Sequence, residues 1–352
     1  MINTYPYSKM NRIGKYQEGI AKFLRTKSFI DRTTPSTKKI LEDLLGQSDH
    51  IPAILFLTIL NSQCKKNDLK FHGYYLASGI DVMGIVATIT TSREHFDQIY
   101  GADLIDNMIL EVTCHFYTCL LDNIDTMRMS NRAPSIATPN SHMLVQRTVE
   151  YVTRLLPRIT QKHTHRPQEK MKKTDLFCRG TGNNTSSMHM IEYKNYKKKH
   201  LLAKHLILAD ASNKYGTVCI LALCLGWILG HGHIENVFRF KELTDDKHIG
   251  QLEHLGNTVG VFLKLYEDFK HIDRINATSP YSLNYVANYG IKDAYNELVE
   301  TRIRFIEGLM VLQIDTKTST EIMELVMGNV DERLKDISVD METHYDDVSG
   351  CG

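Results

Sequence analysis

The sequence predicts an all-α fold, and three observations support this. The 352 residues include only 21 Gly and 8 Pro, too few turn-forming residues for a many-stranded β protein. Apolar residues make up 42% of the chain, enough for a sizeable core, and they recur at helical spacing. Stretches that alternate polar and apolar residues, as half-buried strands do, are few. We therefore expect one domain over residues 1–352, built from about ten helices.

Helix boundaries follow from local signals. Residues 1–35 are polar and mixed, and no helix is assigned before Thr34. Thr34 before Pro35 is typical of a helix start, and Pro52 opens the next apolar run. Prolines interrupt the helical pattern over 130–141. Helices are expected over 34–45, 53–60, 73–88, 102–121, 143–156, 201–211, 217–229, 249–272, 282–312 and 320–337.

Two segments are expected to lie outside the packed core. Residues 161–187 carry a run of basic side chains followed by Gly-Thr-Gly-Asn-Asn, which is typical of a surface connection. Residues 338–352 form an acidic tail.

Composition excludes several classes of function. The net charge of +1 provides no field that would attract nucleic acid or a lipid surface. The strongest apolar run, over 218–229, is shorter than the roughly 20 residues that cross a bilayer, so no transmembrane segment is expected. The seven cysteines form no CxxC pair, and the start of the chain has no secretory pattern. We therefore expect a protein of the reducing cytoplasm.

Two carboxylates follow the apolar run over 108–121. Asp122 and Asp125 are three residues apart, so both lie on one face of a helix. Such a pair offers hard oxygen ligands to a divalent cation. The alternative interpretation is two solvated acids at the end of a helix.

A second pair of acids, Glu267 and Asp268, ends an amphipathic helix. Val261, Leu265 and Phe269 form its apolar stripe. If the two acid helices face each other across a cleft, they can hold Mg²⁺ around a diphosphate, because Mg²⁺ prefers carboxylate and phosphate oxygens.

In order and spacing, these segments resemble motifs of the trans-isoprenyl diphosphate synthases (polyprenyl synthetases). The first Asp-rich motif of that family, DDxxD, is similar to residues 121–125, and GxxFQxxDDxxD is similar to residues 260–271. The family's KTG segment is similar to Lys214-Tyr215-Gly216. The resemblance covers roughly residues 60–335.

The chain departs from the family pattern at several positions. Leu121 replaces the first aspartate of the first motif, and Lys264 replaces the glutamine of the second. In the second motif Glu267 replaces the first aspartate and His271 the last. Ser130-Asn131 stands where the family has paired arginines.

The resemblance implies a class I isoprenoid synthase-like helical bundle around a central cleft, with Mg²⁺ as cofactor. It implies isopentenyl diphosphate and an allylic diphosphate as substrates, a short product, and a homodimer assembled through helices such as that over 73–88. By position, the metal ligands are Asp122, Asp125, Glu267 and Asp268, and the catalytic residues are Asp122, Asp125, Asp268 and Lys214. The substrate-binding residues are Lys70, His72, Arg128, Arg132, Lys214 and Lys264, with Phe116 and Tyr117 closing the product tunnel.

Two functions remain open. The first is a short-chain prenyltransferase that makes farnesyl or geranylgeranyl diphosphate. The alternative is a catalytically inactive subunit of the same fold with a regulatory or structural role, which the losses at Leu121 and His271 favour.

Overall fold

The structure is a computed structural model, and it confirms the all-α fold class. It describes residues 12–26, 29–62, 73–130, 139–161, 202–230, 247–272, 283–314 and 316–349. Over these ranges the chain is helical and contains no strand.

In chain order the helices are α1 (Arg12–Thr26), α2 (Pro35–Leu45), α3 (Ile51–Ser62), α4 (Tyr74–Thr91), α5 (Arg93–Tyr100), α6 (Ala102–Ser130), α7 (Pro139–Thr160), α8 (Lys204–Ala211), α9 (Thr217–Gly230), α10 (Lys247–Lys270), α11 (Tyr285–Tyr289), α12 (Ile291–Val311) and α13 (Thr316–Ser349). A 3₁₀ turn spans Phe29–Arg32, and a π-helical turn, Ser212–Gly216, joins α8 to α9.

The structure contains two helices that the sequence did not predict. The first, α1, buries only Ile13 and Ile20 from an otherwise polar segment, so its apolar pattern is sparse. The second, α5, is only eight residues long and buries Phe96 alone. Short helices with one or two core contacts carry little periodic signal.

Helix boundaries also differ from the prediction, most of all at three places. The helix expected over 282–312 is two helices, because Gly290 has a φ of +87° and separates α11 from α12. Only glycine adopts such a left-handed φ without strain. At its C-terminal end α6 runs beyond residue 121 to Ser130, and α13 continues through the acidic segment to Ser349.

Three helices that are apolar on nearly all sides form the centre of the bundle. α3 buries every residue over 51–60 except Pro52, and α4 and α9 are buried to a similar extent. α9 contacts α3, α4, α7 and α10, and α4 contacts α3 and α6. A helix that is hydrophobic all round belongs in the interior of a large bundle, as here.

The apolar helices are longer than the run over 218–229 suggested. On length and composition alone, Ala102–Thr126 and Lys204–Leu229 could each cross a bilayer, and the pair α4–α5, bent by 96°, could make a third span. In Lys204–Leu229, 83% of the apolar stretch is buried inside the protein, so this stretch packs mainly in the core. In Ala102–Thr126 the share is 39%.

We predict that Gly260→Ala destabilises the fold. A Cβ at Gly260 would lie 2.2 Å from the backbone of Gly216, so α10 and the π turn would have to separate. Overpacking of this kind costs about 1–3 kcal/mol or more, measured as the free energy of unfolding in urea. Gly250→Ala is the control on the same helix, because its Cβ meets nothing within 4 Å. It should be neutral or stabilising, and an equal loss in both variants would contradict the prediction.

Candidate functional site

Buried polar groups meet where the C-terminal end of α4 contacts the π turn. Lys214 is 2% exposed; its Nζ donates to the Thr90 carbonyl at 2.8 Å and lies 3.2 Å from Asp210 Oδ1. The neighbouring Tyr215 hydroxyl donates to Thr88 Oγ1 at 3.0 Å. The family-like lysine is therefore a buried residue that ties the π turn to α4.

A second lysine–aspartate pair lies on α10. Lys264 Nζ forms an ion pair with Asp268 Oδ1 and also donates to the Leu283 carbonyl at 3.2 Å. The other oxygen of Asp268 accepts the Tyr285 N–H at 2.8 Å. Asp268 is only 5% exposed, so its carboxylate fastens the end of α10 to the start of α11.

Burial shifts the ionisation of both pairs. It raises the pKa of Asp268 above its ordinary value, and Lys264 opposes this shift. It lowers the pKa of Lys214, which Asp210 opposes. Each charge depends on its own partner, because an isolated charge in this environment would be strongly disfavoured.

Glu267 belongs to a more exposed network beside these pairs. It forms an ion pair with Lys270 at 3.1 Å, and its other oxygen lies 3.8 Å from His271 Nε2. Lys270 also contacts Asp49 at 2.7 Å, and Asp49 accepts the Tyr266 hydroxyl at 2.7 Å. The Lys270 ammonium lies 4.4 Å from the Tyr266 ring centroid, a cation–π contact.

The first acid motif lies at the opposite end of α4. Asn123, between its two aspartates, is fully buried and accepts the Leu76 N–H at 3.3 Å, near the start of α4. Lys214 contacts Thr90, at the end of α4. From Leu76 to Thr90 a helix advances about 21 Å at 1.5 Å per residue.

A second path of contacts agrees with this separation. Tyr117 of α6 hydrogen-bonds to Thr153 of α7 at 2.9 Å, and Tyr151 donates to Glu253 of α10 at 3.0 Å. From Glu253, α10 runs about 22 Å further to Asp268. Asp268 therefore lies far along α10 from the contacts that link α6, α7 and α10.

The expectation that Asp122 and Asp125 face Glu267 and Asp268 across a cleft is therefore wrong. Asp125 is exposed and Asp122 half-buried, at the far end of the bundle. The helix end that does lie beside Lys214 is that of α4, and its last two residues are threonines.

The four predicted ligands do not fit Mg²⁺. Both oxygens of Asp268 have partners within the protein, and the first pair of acids lies too far away to share an ion with it. Within the ranges that the structure describes, no group of three or more His, Cys, Asp or Glu side chains is arranged to hold a metal ion.

The remaining predicted site residues divide into two groups. Phe116 is 1% exposed and packs against α4 beside Gly79, and Tyr117 is half-buried and bonded to Thr153, so both serve the packing of α6. Lys70, His72 and Arg132 lie outside the described residues, as do residues 162–187 of the connection expected over 161–187. Arg128 lies in the last turns of α6, and its side chain is not described.

The sequence analysis missed Asp210 as the partner of Lys214. A usable signal was present, because Asp210–Lys214 and Lys264–Asp268 are both spaced i, i+4, the spacing that brings opposite charges together on one helix face.

The cysteines within the described ranges are free thiols. Burial raises the pKa of Cys119 and of Cys224 to about 12, so both stay protonated and unreactive at neutral pH. Cys114 is exposed.

The fold is similar to those of known prenyl-transferring enzymes. The geranyltransferase from Helicobacter pylori 26695 matches with a TM-score of 0.52 and 13% identity over 92% of this chain and 99% of that chain. The geranyltransferase from Legionella pneumophila matches with a TM-score of 0.48 and 11% identity over 91% of this chain and 96% of that chain. The geranylgeranyl pyrophosphate synthetase from Pyrococcus horikoshii Ot3 matches with a TM-score of 0.40 and 13% identity over 91% of this chain and 93% of that chain.

No protein-family model and no curated protein sequence matches the chain. The structural likeness to the Helicobacter enzyme, at this level of identity, defines the class of fold. The chain has the all-α fold of isoprenoid synthases.

We predict that Lys264→Met strongly destabilises the protein, because it leaves the buried Asp268 carboxylate without its cation. Breaking a buried pair costs about 3–5 kcal/mol, measured by urea unfolding. The double variant K264M/D268N should recover part of this loss, since asparagine still accepts the Tyr285 N–H without a charge.

The matched control is D122N/D125N at the far end of α6, which should change stability by about 0.5 kcal/mol or less. If D268N alone is as stable as the parent protein, Asp268 is not the structural anchor described above.

Proposed function

We propose that this chain is a non-catalytic member of the isoprenoid synthase fold, acting as a regulatory or structural subunit. One observation carries the proposal: Asp268, the best-matched acid of the second motif, is buried and bonded to Lys264 and the Tyr285 N–H. In this arrangement the carboxylate is turned into the protein and neutralised by Lys264, so a metal would have to displace one of these partners to bind it.

Charge balance supports the same conclusion. A site for a diphosphate and its metal ions needs acids that bind the metal and bases that bind the phosphate. Each of these side chains must be accessible to its ligand. Here the two buried lysines neutralise two buried aspartates. A diphosphate that recruited Lys214 would have to break its contacts with Asp210 and Thr90 and leave Asp210 buried without its cation.

A second candidate is the short-chain prenyltransferase itself, condensing isopentenyl diphosphate with an allylic diphosphate to give farnesyl or geranylgeranyl diphosphate. The shared fold and the placement of Lys214, Glu267 and Asp268 toward one end of the bundle favour it. It requires a metal site that the described residues do not form.

An assay separates the two candidates. The purified protein, with Mg²⁺, isopentenyl diphosphate and dimethylallyl, geranyl or farnesyl diphosphate, should yield no prenyl product. Millimolar Mg²⁺ with inorganic pyrophosphate should leave the Tm unchanged, whereas a ligand at 100 times its Kd would add about 2.7 kcal/mol of stability. Product formation that D268N abolishes would refute the non-catalytic proposal and establish the second candidate.

A subunit role needs an interface, and homodimerisation is part of the proposal. The helix expected to form it, 73–88, is buried within the subunit and cannot also form an interface. α6 offers a better face: Leu110, Cys114 and Leu121 are exposed, with the half-buried Tyr117 between them, at helical spacing. We place the interface on this face. We also propose that the protein is cytoplasmic, as its cysteines lead us to expect.

We predict that L110D/L121D makes the protein monomeric in analytical ultracentrifugation without unfolding it, because two charges would enter an apolar contact. Val311→Asp is the control: Val311 is 73% exposed on α12, away from this face, and should leave the dimer intact. A parent protein that sediments as a monomer at micromolar concentration would contradict the proposed interface.

A further inference from the structure

An ionisable pair with no part in the candidate site joins α3 to α4. His50, the residue before α3, has its Nδ1 2.6 Å from Asp81 Oδ2. Asp81 lies in the middle of α4, and its side chain is 1% exposed. Ser48 completes the contact, since its hydroxyl donates to Asp81 Oδ1 at 3.4 Å and accepts the His50 N–H at 3.1 Å.

The backbone at this pair is strained. His50 has a φ of +56°, in the left-handed region that non-glycine residues adopt at a cost. The His50 carbonyl also accepts the Ile54 N–H at 3.0 Å, as the first hydrogen-bond acceptor of α3. The side-chain contact with Asp81 therefore holds a backbone geometry on which the start of α3 depends.

We propose that the His50–Asp81 pair is a pH-sensitive latch, in which protonated His50 holds the N-terminus of α3 against α4 and loss of that proton releases it. A buried carboxylate is stable only with a compensating charge or full hydrogen bonding, and the imidazolium supplies a charge. Neutral His50 keeps at most a hydrogen bond, too little to offset both the desolvated carboxylate and the left-handed backbone.

The charged groups around His50 come from its own segment, from α4 and from α10. Two carboxylates face His50: that of Asp81 on α4 and that of Asp49, the residue before His50. Both favour the protonated form of His50. From α10, Lys270 and Tyr266 contact Asp49. Two neutral amides contribute as well, one from α1 and one from α13: Gln17 donates to the Asp49 carbonyl, and Asn329 donates to the Tyr266 hydroxyl. The cations near this segment thus act on Asp49, and His50 acts on Asp81.

The direction of the pH effect follows from the two opposing influences on His50. Burial lowers its pKa, the hydrogen bond and charge of Asp81 raise it, and the net result is a pKa above the ordinary value of 6.5. A raised folded-state pKa contributes stability that is complete below about pH 6.5 and is lost as the pH rises through the folded-state pKa. The latch is therefore closed in mild acid and opens in mild alkali.

Amide exchange at Ile54 measures the latch directly. After correction for intrinsic exchange, we expect the protection factor of the Ile54 N–H to fall as the pH rises from 6 to 8.5, tenfold for each unit by which folding raises the pKa of His50. The Cys224 N–H, in the buried middle of α9, should show no such fall, which would mark the opening as local.

Three variants test the assignment. H50N keeps a residue that tolerates the left-handed region but does not titrate, and D81N removes the buried charge; both should abolish the pH dependence at Ile54. H254Q, which changes an exposed histidine of α10, should preserve it. An Ile54 protection factor that is flat with pH in the parent protein, that still falls in H50N or D81N, or that falls together with Cys224 would overturn the latch. If both variants fail to fold, an NMR titration of His50 in the parent protein decides: a pKa at or below 6.5 overturns the proposal.

Discussion

The cost of burying charge fixes the register of the helices in the interior of this protein. Two lysines and two aspartates lie among the apolar side chains of the core, and each is 5% exposed or less. Such charges persist only as pairs, so the helices that carry them must keep one register. Asp210–Lys214 fixes the junction of α8 and α9, and Lys264–Asp268 fixes the end of α10 against α11.

Most of the helix packing involves none of the acids predicted as metal ligands. The helices are held by the buried faces of α3, α4 and α9 and by close approaches such as Gly260 against Gly216. None of these contacts needs an aspartate-rich motif. A bundle can thus keep its architecture while the residues at one end are replaced, which is why fold and function must be argued separately.

The sequence predicted the fold class and most long helices well, because continuous apolar runs such as those of α3 and α9 leave few alternatives. It failed at α1, whose two core residues give little pattern, and at Gly290, whose left-handed φ is invisible in periodicity. The candidate site was only partly predictable. Asp268 was correctly placed near the end of a long helix, whereas Asp122 lies two turns inside α6, which continues to Ser130. Sequence order does not tell which helix ends meet: Asn123 contacts the start of α4, and Lys214 contacts its end.

The π turn over Ser212–Gly216 sets a limit on how this chain can change. A π turn holds one residue more than the α-helical turn it interrupts, so deleting any one residue would heal it into a continuous helix. Because the turn itself takes up the additional residue, α8 and α9 would keep their relative orientation after such a deletion, and the change would fall on the turn alone. Lys214 and Gly216 both lie within the turn. The contact of Lys214 with Thr90 and that of Gly216 with Gly260 are therefore where a deletion would be felt, rather than the packing of the whole bundle.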